Sequence, residues 1–491
     1  MKSKMFKKLM AASLAAVMTV SFAGCGEKTE PTDGSSSAAP TDSSAAPVDG
    51  SSSAPVEEDL GAYTIINDPA TGKPYDLGGM EIIIRDWWSP EEAAEPNGAF
   101  EEARAEYREW IQETYNFKIR ELGMGDWGSN PQDFVDYVTT DGDDVNYVFT
   151  LRADPAITSA MGNNLMYDWS SLDCIDLSES KWQKNKLHEK YTFNGKVAAV
   201  NAGYPEPRCG IYFNKRLLTD AGIDPESLYD LQASGDWTWS AWTDMMAKVQ
   251  RDINNDGQID VYGFDANYGI PVSAAVASNN SEYVGSNGGE FVYKFEDPAT
   301  VEALEWMVEN FKNYALVRPA DAQWDYYKQG FQNGECAFMP EDAYCGNEGG
   351  WLKEMTDAQN GDVGFVMFPK GPQADDYTNL WSNNPCAIPG CYDADRAWKI
   401  AFAYNLYTDD VPGYENYVDF SQYRNGIFDF RAIDETLTMM ITKGMVSYHG
   451  LIPSLDMGEP FLWKFNGTTD VTAVLEGIRV PYNEYIDAAN K

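Results

Sequence analysis

Asp252, Asn254, Asp256 and Asp260 set oxygen-bearing side chains at positions one, three, five and nine of a loop whose sixth residue is Gly257. Calcium loops need that spacing, because hard oxygen donors must alternate around a turn that only glycine makes easily. The twelfth position is Gly263, where a full EF-hand carries a bidentate glutamate. The segment therefore reads as a calcium loop or as an Asx-rich turn after a helix, and both readings stand. Catalysis has less to work with. Only His188 and His449 could serve as imidazole bases, and neither sits in a motif pairing it with a serine or cysteine nucleophile. The sequence contains no G-x-S-x-G, H-E-x-x-H or phosphate-cradling glycine loop. With 77 acidic residues, carboxylate pairs of the glycosidase kind arise by chance, and most of these acids belong to a solvated surface.

Aromatic side chains are more telling, with 15 tryptophans and 29 tyrosines. Sugar rings present apolar C–H faces that stack on indoles, while their hydroxyls pair with Asp, Asn, Arg and Lys. Clefts combining aromatic and amide groups suit such ligands. Most of these rings must serve packing, so position selects the rest. In an open α/β sheet, ligands sit beyond the C-terminal ends of the strands. Met80–Asp86 is a continuous apolar run of the kind a buried strand needs, and Trp87-Trp88 follow it at once. Arg152 and Asp154 follow the run from Tyr147 to Leu151 in the same way. These four are candidate ligand contacts.

The elements that must position them alternate. Phe100, Ala103, Tyr107 and Trp110 mark one face of a helix after the first strand, and Phe117–Ile119 is the next strand. Strands separated by helices imply a parallel, doubly wound sheet. Further on, Gly210–Phe213 is a short apolar strand ending at Asn214. Thr238 caps a helix bearing Met245, Met246 and Val249, and Asp297-Pro298 and Asp393 open two more.

The run of strand, helix, tryptophan-led helix and acidic loop from Arg208 to Gly269 resembles the family 1 extracellular solute-binding proteins of bacterial ABC importers. That family includes relatives of maltodextrin-binding protein. Two further stretches carry the same resemblance: Gly330–Met339, a glycine turn before a small-residue strand, and Val363–Gly371, a strand followed by Pro-Lys-Gly. The resemblance implies an α/β fold of two lobes with a hinge and an interlobe ligand cleft. Glu341-Asp342-Ala343-Tyr344 would place a stacking aromatic at that cleft, with tyrosine where relatives commonly have tryptophan. Trp381 and Asn383 would border it, as would Arg208 and Tyr268. Some relatives hold calcium at the acidic loop. The implied function is carbohydrate capture, an oligosaccharide being expected, for delivery to permease subunits without chemistry on the ligand. A secreted carbohydrate-active enzyme is the alternative.

Residues 1–24 combine a basic start with a short apolar run, a secretion signal. The small residues before Cys25 resemble a lipobox, so cleavage there and acylation of the Cys25 thiol are expected. Lipid would then be the sole membrane anchor, since no segment is long enough to span a bilayer. Residues 25–60 are Ser-, Ala- and Pro-rich and form an expected disordered tether. The expected lobes are 61–205 with 315–370, and 206–314 with 371–491. A net charge of −41 argues against nucleic-acid partners and favours neutral or cationic ligands. The expected protein is a monomer on the outer face of the cytoplasmic membrane. Cys336 with Cys345, and Cys386 with Cys391, are close enough in sequence for local disulfides, although free thiols are equally expected.

Overall fold

The computed structural model describes residues 63–152, 155–287, 290–381, 384–415 and 417–491. The signal segment, Cys25 and the tether lie outside them, as do Asp154 and Asn383. Residues from Leu60 onward form one compact unit.

Its first sheet is built as the apolar runs require. β1 (Met80–Asp86) lies parallel between β2 (Phe117–Gly123) and β3 (Asn146–Thr150). Ile82 and Ile84 point into the core, the alternation a strand imposes. Helix α1 (Ala99–Tyr115) lays Tyr107, Ile111 and Tyr115 onto that core, and α2 (Asn130–Thr139) buries Phe134 and Val138 in a neighbouring cluster. A short strand, Cys386–Ala387, closes the far edge antiparallel to β3.

The second sheet departs from the expected all-parallel pattern. Its central strand β4 (Cys209–Asn214) is antiparallel to both neighbours, β6 (Cys336–Asp342) and β7 (Val363–Met367). Only the outer pair is parallel, β5 (Tyr262–Phe264) beside β6. β4 is inserted between β6 and β7, which run parallel to each other and are joined by a crossover of short helical turns over 343–359. Helices α3 (Trp239–Val249), α4 (Gly269–Ser278) and α5 (Pro298–Tyr314) pack on this sheet. Thr238 caps α3 as expected, accepting the Ala241 N–H at 3.3 Å. Asp297 stands at the N-cap of α5 without a side-chain hydrogen bond there.

Strand pairing also redraws the expected partition. Residues 315–370 are expected in the first lobe, yet β6 and β7 join β4 in the second sheet. Cys386–Ala387 and α6 (Ala394–Tyr407), assigned to the second, pack with the first sheet. The chain passes between the two cores at 200–209, 381–386 and 407–420. All six described cysteines are free. Cys336 and Cys345 flank β6 at opposite ends, roughly 20 Å apart at strand rise, too far for a disulfide.

Candidate functional site

Three strands of the second sheet deliver their termini to one edge. β4 begins there at Cys209, directly opposite Asp342 at the end of β6. Gly210 faces Met367 at the end of β7, while β5, parallel to β6, stops short of that edge opposite Phe338. This is where an open α/β sheet leaves a crevice. A pocket of about 320 Å³ occupies it, lined among others by Arg208, Asn267, Asp342, Phe368, Asn379 and Trp463. A larger hollow of about 630 Å³ lies against the C-terminal helix α7 (Val471–Ala489), between it and the 454–470 loop. That hollow touches no strand terminus, so the smaller pocket is the better candidate.

Charge converges on the pocket. Arg208 Nη2 lies 2.8 Å from Glu206 Oε2, and Nη1 lies 3.7 Å from Asp342 Oδ2. Burial raises the carboxyl pKa of both acids, and the Arg208 charge opposes that rise. Next to them Glu341 is almost fully buried. Burial, then the charge of Asp342, pushes its carboxyl up to about 7. Its Oε1 accepts the Asp342 N–H at 3.0 Å. Asn379 contributes something different: it is buried at the pocket wall, and its Oδ1 has no donor within the protein. An orphaned buried acceptor is costly, so Asn379 leaves hydrogen-bonding capacity unmet at the pocket wall.

The predicted residues divide between the two sheets. Arg208 lines the pocket. Tyr344 stands just past Asp342 with 46% of its surface exposed. Trp381 follows the pocket-lining Asn379 and Leu380, and its indole N–H is donated to the Met440 carbonyl at 2.9 Å, which holds the half-buried ring in place. Tyr268 packs edge-on against Phe311 beneath the Arg318 guanidinium, while its neighbours Asn267 and Gly269 line the pocket. Trp87, Trp88 and Arg152 sit at the strand ends of the first sheet. Asp86 accepts the N–H groups of Trp88 and Ser89, at 2.9 and 2.8 Å, and so orders the turn that carries both indoles. Trp88 is 57% exposed and meets Trp87 edge to face at 4.7 Å. Arg152 lies over the exposed Trp127 ring at 4.0 Å.

Sequence reasoning overlooked Trp127, although it follows the end of β2 and the rule that selected Trp87 would have found it. It also overlooked Asn379 and Trp463, which reach the pocket from a three-residue strand (Asn379–Trp381) and a 3-10 turn (Leu462–Lys464) that no strand-end signal marks. In the acidic loop, Asp252, Asn254, Asp256 and Asp260 all accept backbone N–H groups of the loop itself. Gly257 takes a φ of 92°, the left-handed turn that glycine permits. Among the described residues no group of three or more His, Cys, Asp or Glu is arranged to hold a metal ion.

Two sheets, each with its own core and joined by repeated crossings, are the architecture shared with known binding proteins. Residues 181–392 match the bacterial extracellular solute-binding protein family. Solved structures extend the likeness to most of the chain. A sugar transporter of Rhizobium etli in an open conformation aligns at 15% identity, covering 84% of this chain and 99% of its own, with a TM-score of 0.56. The cyclic alpha-maltosyl-1,6-maltose binding protein of Arthrobacter globiformis aligns at 13% identity over 84% and 100%, with a TM-score of 0.55. The GacH receptor of Streptomyces glaucescens, solved with acarbose, aligns at 14% over 83% and 99%, with a TM-score of 0.53. No curated protein matches the sequence. At these identities the likeness establishes the fold, an α/β solute-binding fold of two lobes.

Within this fold the buried Glu341 makes stability depend on pH. A carboxyl raised to about 7 in the folded state, against about 4.3 unfolded, favours the protonated fold. Its contribution is fully present below about pH 4.3 and is lost as pH rises through 7. Glu341→Gln should therefore melt with the wild type at pH 4.5 and several degrees above it at pH 8. Melting curves that stay parallel across that range would show that Glu341 does not titrate there.

Proposed function

We propose that this protein is the lipid-anchored substrate-binding component of an ABC importer and that it captures a carbohydrate, an oligosaccharide, for delivery to permease subunits. The observation that carries this reading is the pocket: a buried amide oxygen without a donor, a guanidinium held between carboxylates, and an exposed indole at its mouth. Amide, ion-paired charge and aromatic face are what a polyhydroxylated ring with apolar C–H faces requires. The sugar-binding proteins among the structural neighbours support it. Capture proceeds by closure of the lobes about the crossings, with the strand-end aromatics of the first sheet meeting the far side of the ligand. Docking follows, and no bond is made or broken. A secreted carbohydrate-active enzyme is the competing reading. Incubation with an oligosaccharide panel, followed by product analysis, separates the two: turnover would overturn the binding role.

Truncation of one aromatic on each side is the direct test of the ligand site. Trp463→Ala and Trp88→Ala should each weaken saccharide binding by about ten-fold or more, on the order of 1.4 kcal/mol. Both side chains are largely exposed, so melting temperatures should stay unchanged. Calorimetric titration reads the affinity, and unchanged affinity in both variants would move the site elsewhere.

The acidic loop and the leader extend the proposal. Calcium bound only by the folded state should raise the melting temperature, and Asp256→Ala should abolish the rise. Indifference of the wild type to calcium and to chelator alike would leave the loop a turn. For the anchor, Cys25→Ala should shift the protein from membranes to the soluble fraction, because acyl chains on one residue are the proposed attachment. Retention of the variant in membranes would refute that.

A further inference from the structure

Beyond the pocket, the same edge of the second sheet carries a row of aromatic groups whose packing role is incomplete. The Ala343 N–H is donated to the Arg208 carbonyl at 3.1 Å, so the chain leaving β6 is tied to the pocket wall before Tyr344 emerges. Past it, the Lys328 ammonium lies 5.7 Å from the ring centres of both Trp324 and Trp351 and 5.9 Å from that of Tyr327. Trp324 is 70% exposed, among the most exposed large apolar side chains described. An exposed indole on a loose loop would be unremarkable, but this one is anchored. The carbonyl of Trp324 accepts from Arg318 Nη1 at 2.9 Å, and the same guanidinium grips the fully buried Asp265 through two nitrogens at 2.8 and 2.9 Å. A salt bridge fixed in the core thus holds the backbone beneath an uncovered ring. Lys328 has no carboxylate within ion-pairing distance among the described residues and spends its charge on ring faces, leaving ammonium donors available.

We propose that Trp324, Trp351 and Lys328 form an outer subsite for a neutral sugar ring, reached from the pocket across Tyr344, so that the ligand is a chain of several sugars. This rests on the carbohydrate reading above. Proximity selects the occupant: Asp342 lines the pocket, and Glu341 beside it bonds the Tyr327 side chain and feels the Lys328 charge. Charge selects its type. Glu206, Glu341, Asp342 and Asp265 lie close by against Arg208, Arg318 and Lys328, which disfavours an anionic group. An indole supplies the stacking face and Lys328 donates to a ring hydroxyl.

The test uses the full chain and ladders of two to six sugars in α-1,4-glucose, β-1,4-glucose, β-1,4-mannose and β-1,4-xylose linkage. For the ladder that binds, affinity should rise with length. Trp324→Ala should cost ten-fold or more for the long members and less than two-fold for the disaccharide, and Lys328→Met should show the same length dependence more weakly. Melting temperatures should not move, because Trp324 is exposed. Equal losses at all lengths, or none, would overturn the subsite while leaving the carbohydrate reading intact. Failure of every ladder to bind would overturn both.

Discussion

The fold of the binding edge depends on how closely three strands approach at β4. Every residue of β4 is buried, and the strand tolerates no side chain at its tightest points. A Cβ on Gly210 would lie 2.5 Å from the Phe365 ring, and one on Gly364 would lie 2.1 Å from that of Phe213. Those two absences let β4 sit between β6 and β7 with both faces covered. Arg208 is the residue before this strand and Asp342 is paired with its first residue. The geometry of the pocket is therefore inherited from strand register and not assembled by flexible loops. Register is strongly specified when both faces are buried, because a slip of one residue would turn every side chain over.

Electrostatics at that edge follow from burial. Water is scarce around Glu341, so its carboxyl resists ionisation, and each neighbouring negative charge raises the cost. Arg208 offsets part of this for Glu206 and Asp342. The result is an edge crowded with acids whose local charge is softened by pairing and protonation. A polyol gains hydrogen bonds there without bringing charge of its own, whereas a free anion would meet repulsion in a region of reduced screening. The overall charge of −41 reinforces that preference at longer range.

Much of the first sheet was legible because its residues obey local rules. Met80–Asp86 buries Ile82 and Ile84 on its core face before ending at the buried Asp86, and the helix face of Tyr107 follows the 3.6-residue period. The second sheet was legible as strands but not as a sheet. Direction and order are set by pairing partners more than a hundred residues apart, Ile211 with Pro340 and with Val366, and no local pattern encodes that choice. The expected place of 315–370 in the first lobe fails for the same reason, since its strands pair with β4. The site behaved likewise. Arg208 and Tyr344 are strand-end residues and could be found, whereas Asn379 and Trp463 join the pocket only through tertiary approach. Trp381 lies beside the pocket, with its indole N–H donated to the Met440 carbonyl.

The arrangement of charge also bears on whether this edge could cleave what it holds. Glycoside hydrolysis needs two carboxyl groups flanking the scissile bond and passes through a transition state with positive charge on the sugar. Glu206 and Asp342 are a pair of the right kind, but the Arg208 guanidinium lies between them, within 3.7 Å of both. A fixed cation where positive charge would develop raises that barrier, because catalysis requires groups complementary to the transition state. Glu341 offers no substitute. One of its oxygens accepts the Asp342 N–H and the side chain is buried from solvent. Ser447 Oγ and His449 Nδ1 meet at 2.5 Å, yet burial drives the imidazole pKa down to about 4, and neither residue lines the pocket. The same guanidinium that opposes cleavage donates well to a ground-state hydroxyl. Held by two carboxylates and by the register of β4, it suits the capture proposed above better than cleavage.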